Sequence, residues 1–147
     1  MLSIKQQDKL IKLSKTLLEI ETKYVIGADA EKAPYEFDCS SLIQYLYKQI
    51  GIEIPRSSIL QAADTNSAEI DLAEELQVGD LLFMRGVRGF YRDDLFPNKE
   101  IYIGHVALYL GENKVIHAKK TAEKVVMQDL NEVVSNTKYR IILIKRY

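Results

Sequence analysis

The apolar residues of this chain change period once along its length, and that change fixes the class of fold open to it. Toward the N-terminus they recur every three or four positions: Leu10, Leu13, Leu17, Ile20 and Tyr24, then Leu42, Ile43, Leu46, Tyr47 and Ile50. That spacing lines one face of a helix. From about Ile101 onward they alternate, with Val106, Leu108 and Leu110 separated by His105, Ala107 and Tyr109, the period of a strand with one buried face. Helices followed by strands predict an α+β fold, with N-terminal helices packed on a C-terminal antiparallel β-sheet. No repeat or low-complexity tract divides the 147 residues, so residues 1–147 are expected to form one domain.

Boundary signals agree with the periodicity. Ser3 and Gln6 can form a capping box at the start of the first helix. The second helix is expected to begin near Asp38 and to stop at Gly51. Ser57 or Ser58 can cap a third, around Ile59 to Thr65. Val78-Gly79-Asp80 reads as a turn into a buried strand from Leu81 to Met84, and Gly111-Glu112-Asn113 as the turn into Val115 to Ala118. Further strands are expected at Val125 to Leu130 and Tyr139 to Lys145. Between them, residues 85–100 carry Gly86, Gly89, Pro97 and Asn98 among charges and read as a long loop, a kind that is often functional.

Twenty Lys and Arg against twenty-one Asp and Glu leave a net charge of −1, which argues against a dedicated nucleic-acid binder. No apolar run is long enough to cross a bilayer or to serve as a secretory core. That leaves a cytoplasmic location, export by another route, or prior removal of a leader all open. A single cysteine excludes an intramolecular disulfide and an all-cysteine metal site. No metal or other cofactor is expected.

That cysteine carries the functional argument. Cys39 follows Asp38 at the start of an amphipathic helix, where unpaired N–H groups favour an anion and can lower a thiol pKa. Such a thiolate is a nucleophile. The plain alternative is a small buried hydrophobe, with Asp38 serving only as an N-cap. Two histidines tilt the reading. A three-residue loop at Gly111 to Asn113 sets Leu110 opposite Lys114 and Ala107 opposite His117, which puts His105 and His117 on one face as diagonal neighbours. A two-residue loop sends them to opposite faces. On one face, Cys39 can act as nucleophile, His105 as base and His117 as the group that fixes the His105 ring. The chemistry is amide hydrolysis, with a backbone N–H at the helix start and a second donor that the sequence does not identify meeting the oxyanion.

These residues resemble the NlpC family of papain-like bacterial cell-wall cysteine peptidases. The resemblance rests on ordered blocks: Tyr24-Val25-Ile26-Gly27, Phe37-Asp38-Cys39-Ser40-Ser41-Leu42-Ile43-Gln44-Tyr45, Ile54-Pro55-Arg56-Ser57-Ser58, Val78-Gly79-Asp80-Leu81-Leu82-Phe83, and Gly104-His105-Val106-Ala107-Leu108-Tyr109-Leu110-Gly111 with Val115-Ile116-His117-Ala118. It implies a papain-like α+β fold and hydrolysis within peptidoglycan stem peptides, at the bond from γ-D-glutamyl to diaminopimelate or lysine. Cys39, His105 and His117 match the catalytic positions, and Tyr24, Asp38, Ser40 and Ser58 match positions that line the substrate groove. Ser58 also reads as a helix cap, Tyr24 as the end of the first helical stripe, and Arg56 as half of a structural ion pair. Ser41, Val78 and Ala107 replace residues common in the family, and Ala28 stands where a second glycine is frequent. The 85–103 segment is longer than usual and reads as a lid over the groove, as a contact for acidic groups of the stem, or as a solvated insertion. Two other readings remain: an amidase or acyltransferase of the same fold acting on a non-peptidoglycan amide or thioester, and a catalytically silent binding module.

Overall fold

A computed structural model describes all of residues 1–147. Helix α1 spans Ile4–Leu18 and opens with the expected capping box: the Ser3 hydroxyl accepts from the Gln6 N–H, and the Gln6 side chain accepts from the Ser3 N–H. Leu10, Ser14 and Leu17 form its buried stripe. The helix ends before Ile20 and Tyr24, which periodicity had extended it to reach. Tyr24 lies instead in strand β1 (Lys23–Tyr24), paired in parallel with β2 (Glu36–Phe37). The run from Thr22 to Ile26 is rich in β-branched and aromatic residues, and the extended pairing satisfies that preference.

Helix α2 (Cys39–Gln49) is the central element. Asp38 caps it, and the chain leaves it through Gly51, whose φ of +85° lies in the left-handed region. Leu42, Ile43, Leu46 and Tyr47 are fully buried in one cluster with Val106, Leu108 and Ile116 of the sheet. Each such side chain contributes about 1.5–3 kcal/mol by leaving water. The Tyr47 hydroxyl donates to the Gly79 carbonyl at 2.6 Å. Helix α3 (Ser58–Ala63) follows, capped by Ser57 rather than by Ser58.

The main sheet contains β3 (Ala68–Ile70), β4 (Leu81–Met84), β5 (His105–Gly111), β6 (Lys114–Lys119), β7 (Lys124–Asp129) and β8 (Ile141–Arg146). Its order is β3-β8-β4-β5-β6-β7, and every pairing is antiparallel. Strand β4 is buried along its whole length, as a continuous apolar run at the centre of a sheet should be. The second face carries a smaller cluster, Leu82, Met84, Ala107, Val115, Val133 and Ile144, covered by helix α4 (Leu130–Val134). Three features depart from the sequence expectation. Strand β3 is a short, largely exposed edge with no apolar alternation to announce it. Helix α4 replaces the end of the strand expected to reach Leu130. Tyr139 lies in a 3₁₀ turn (Thr137–Tyr139) that precedes β8 rather than within the strand.

The β5–β6 hairpin reaches the expected register by a different route. Glu112 and Asn113 both have positive φ, 49° and 60°, and form a two-residue turn closed by the Gly111–Lys114 pair. Alone, that turn would split the histidines between faces. An irregularity between Tyr109 and Gly111 shifts the ladder by one residue, so Leu108 pairs with Ile116 and Tyr109 with Val115. Extending that register places Ala107 opposite His117, as a three-residue loop would.

One buried ion pair locks the last strand. Both oxygens of Asp80, which is fully buried, accept from Arg146 at 2.7 Å, and one also accepts from the Gln77 N–H. Removing one partner strands a charge in the interior, a loss of about 3–5 kcal/mol. Arg146→Ala is therefore expected to lower unfolding stability by that amount in urea titration; a change below about 1 kcal/mol would mean that the pair is effectively solvated.

Candidate active site

Three elements converge on the thiol. Cys39 is the first residue of α2 and 8% exposed. Its N–H is one of the donors that a helix start leaves without an intrahelical partner. The backbone N–H groups of Ser40 and Val106 act on the thiol electrostatically, which places it near the opening of β5, whose first residue is His105. Tyr109 exchanges hydrogen bonds with the β4 side through Gly79 and Asp80, so the N–H of Val106, three residues earlier, faces β6. The β5–β6 pairing ends at Leu108 and Ile116, so Val106 lies outside the paired stretch.

The histidine rings bridge that gap. His105 Nε2 and His117 Nδ1 are 2.8 Å apart, and His117 Nε2 is 2.7 Å from Gln128 Oε1 on β7. The amide oxygen can only accept, so the proton of a neutral His117 resides on Nε2 and its Nδ1 accepts. His105 must then donate from Nε2, which leaves its Nδ1 as a free lone pair. Gln128 thus gives the chain of rings a direction, one that leaves His105 Nδ1 open to accept a proton. Gln128 was not among the sequence candidates. Its diagonal position across from His117 follows from the β6–β7 register, which pairs His117 with Val126, and that register is not written in either strand alone. Tyr139 was missed as well: its ring meets His105 edge-on at 5.3 Å.

Burial sets the protonation states. It pushes the Cys39 thiol up to about 11, with the Asp38 charge adding to the effect and the two backbone N–H donors opposing it. This corrects the expectation of a thiolate held by the helix start: desolvation outweighs the partial charge of the helix end. Burial likewise pushes the His105 imidazole down to about 3, helped by His117 and Lys119, and lowers His117 against the pull of Gln128. The resting pair is a neutral thiol and a neutral imidazole. Neither can charge alone in this setting, whereas a proton passed from one to the other leaves the pair without net charge.

The groove residues divide. Tyr24 stands within electrostatic range of Cys39, Asp38 and Tyr139, and burial pushes its phenol up to about 12, so it remains a donor. Asp38 accepts from five groups: the Gly27 and Ser41 N–H, the Ser40 hydroxyl and both terminal nitrogens of Arg56. Burial opposes its charge, yet these donors hold the carboxyl below its usual range. The Ser40 hydroxyl donates to Asp38 and accepts from Arg56. Both side chains are thus engaged within the fold, and Arg56 makes the structural ion pair. Ser58, no longer needed as a cap, occupies the first turn of α3. No group of three or more His, Cys, Asp or Glu side chains is placed to hold a metal ion.

Comparison with known proteins gives one consistent result. A model of the NlpC/P60 family matches residues 21–144. A γ-D-glutamyl-L-lysine dipeptidyl-peptidase of Bacillus cereus is 34% identical over 97 residues, covering 66% of this chain and 25% of the relative. The murein DD-endopeptidase MepH of Escherichia coli is 29% identical over 128 residues, covering 86% of this chain and 42% of the relative. The chain thus spans a quarter to less than half of these relatives. NlpC2 of Trichomonas vaginalis superposes with a TM-score of 0.73 at 25% identity, over 100% of this chain and 48% of that one.

Nitrogen-15 NMR of the imidazoles checks the direction of the relay. Both rings are expected as Nε2–H tautomers, with His105 silent between about pH 5 and 8. In Gln128→Leu the fixed tautomers should be lost. A His105 ring carrying its proton on Nδ1 would reverse the relay and refute the assignment.

Proposed function

The chain belongs to the NlpC/P60 family, and from that membership we propose that it is a cysteine endopeptidase hydrolysing amide bonds in the peptide stems of peptidoglycan. The observation that carries this reading is the directed chain from Gln128 through His117 to His105, ending beside a cysteine at a helix start. The bond we favour joins γ-D-glutamyl to lysine or diaminopimelate. The activity for which the Bacillus cereus relative is named supports it; the Escherichia coli relative is named for a DD-endopeptidase activity instead, so the product decides.

In this mechanism the Cys39 sulfur attacks the scissile carbonyl while its proton passes to His105 Nδ1. The imidazolium is stabilised through its Nε2–H to His117, whose own Nε2–H is held by Gln128. The oxyanion takes the unpartnered Cys39 N–H and the Tyr24 hydroxyl. His105 then returns the proton to the leaving amine and the C–N bond breaks. Water, deprotonated by His105, attacks the thioester; sulfur leaves and recovers a proton. Asp38 and Ser40 act by fixing the helix start and the groove wall, and Ser58 offers its hydroxyl to the peptide.

Mass spectrometry of digested muropeptides tests the reading, because it names the bond. Cys39→Ala is expected to abolish cleavage with the fold intact. His105→Ala should lower kcat about 10²–10⁴-fold, the range of a lost general base, and His117→Ala less. Undiminished cleavage by Cys39→Ala would overturn the mechanism.

The pH dependence follows from the burial of the pair. His105 must be neutral to accept a proton, and its pKa is pushed down to about 3, so the acid limb of kcat/KM should lie well below the 6.5 of an ordinary imidazole. A limb near 6.5 would show a solvated ring.

A further inference from the structure

The 3₁₀ turn before β8 separates two cavities. Tyr139 faces the one beside His117 and Gln128. Thr137, Lys138 and Arg140 face the other, of about 440 Å³, whose remaining walls are Arg85, Gly86 and Val87. Three cations and no carboxylate line this second cavity. The five ion pairs of the structure employ Arg56, Arg92, Lys99, Lys114 and Arg146, so Arg85, Lys138 and Arg140 have no counter-charge. All three side chains are exposed, and cations gathered along one cavity raise the local positive potential and attract an anion. The guanidinium of Arg85 stacks over the Tyr102 ring at 5.3 Å, an arrangement that steadies the group and leaves its edge free to donate.

The cavity adjoins the candidate active site through the residues that line it. The Gly86 N–H donates to the Lys138 carbonyl at 2.8 Å, which ties the start of the 85–103 loop to the turn. A Cβ on Gly86 would stand 3.4 Å from His105 Cβ, so the loop backbone runs directly beside the base. Tyr139, between Lys138 and Arg140, packs on the same imidazole. A peptide whose scissile amide reaches Cys39 and His105 therefore passes close to three unpaired cations.

We propose that this cavity is a subsite for a free carboxylate of the peptide substrate; the inference rests on the peptidase reading above. The chemistry of a γ-glutamyl amide makes the fit specific. Because the chain continues through the side-chain carboxyl, the α-carboxylate stays ionised only a few bonds from the scissile carbonyl. The C-terminal carboxylate of a short stem is the other source. Arginines recognise such a group by paired N–H donors, and the Thr137 hydroxyl can add another.

Two measurements test this, and they separate its failure from that of the peptidase reading. First, glutarate is titrated into the protein while the backbone amides of Gly86, Val87, Thr137 and Lys138 are followed by NMR. Saturable shifts are expected, and they should vanish in the double variant Arg85→Gln, Arg140→Gln. No saturation by about 50 mM, a very weak affinity even for a single ion, overturns the proposal whatever the enzyme cleaves. Second, L-Ala-γ-D-Glu-L-Lys-D-Ala is bound to Cys39→Ala protein alongside its D-glutamyl α-amide and its C-terminal amide. One amide should bind about tenfold more weakly, which identifies the carboxylate, and that gap should close when the double variant is added. Equal binding of all three peptides, or a gap that survives in the variant, overturns the proposal. Glutarate binding by a protein whose wild type neither binds nor cleaves the peptide overturns the assignment to substrate and the peptidase reading with it.

Discussion

Much of this site depends on one carboxylate. Asp38 is only 13% exposed at its side chain, a placement that would be costly for a lone charge. Five donors drawn from the segment after β1, the first turn of α2 and the segment before α3 converge on it. The bidentate contact with Arg56 is the strongest kind available to a carboxylate, and Arg56 adds a bond to the Ala28 carbonyl. Gln61 braces the same turn by donating to the Ser40 and Pro55 carbonyls. The consequence is positional. Cys39 is the next residue after this knot, so its backbone has little freedom, and its sulfur is delivered to one point against β5.

At that point the β5–β6 ladder has already ended, at Leu108 and Ile116, and the link between the two strands passes to the side chains of His105 and His117, 2.8 Å apart. Gln128, on the next strand, meets the other nitrogen of His117. The imidazoles that join the two strands are therefore the groups to which the proposed mechanism gives the proton.

Such an account also explains what could be read from residues alone. The Ser3 and Asp38 caps, the buried stripe of α2 and the sharing of one face by His105 and His117 follow from local rules of spacing and turn chemistry. The hairpin reached the right parity through a two-residue turn plus a slipped ladder, two local features whose effects combine to the same register. Gln128 and Tyr139 depend on how β7 and the chain before β8 are laid against β6 and β5, which no local pattern encodes. The protonation of Cys39 was misjudged for a related reason. A helix start announces itself in sequence, whereas the burial that outweighs it is a property of the assembled fold.

The 85–103 loop shows how far packing can convert a non-periodic segment into structure. Phe90 and Ile103 exchange both backbone hydrogen bonds at 2.9 Å, and Tyr91 packs on Tyr102 with ring centroids 5.7 Å apart. Lys99 pairs with Glu69 of β3. The closest approach is at Gly104, where a Cβ would come within 2.1 Å of the Arg85 carbonyl and 2.5 Å of the Arg88 carbonyl. Only a residue without a side chain can sit there, one position before His105, so the two ends of the loop are clasped directly against the strand that carries His105. A segment tied in that way is anchored to the sheet at both ends, so packing gives it a defined path beside His105 that its sequence does not announce.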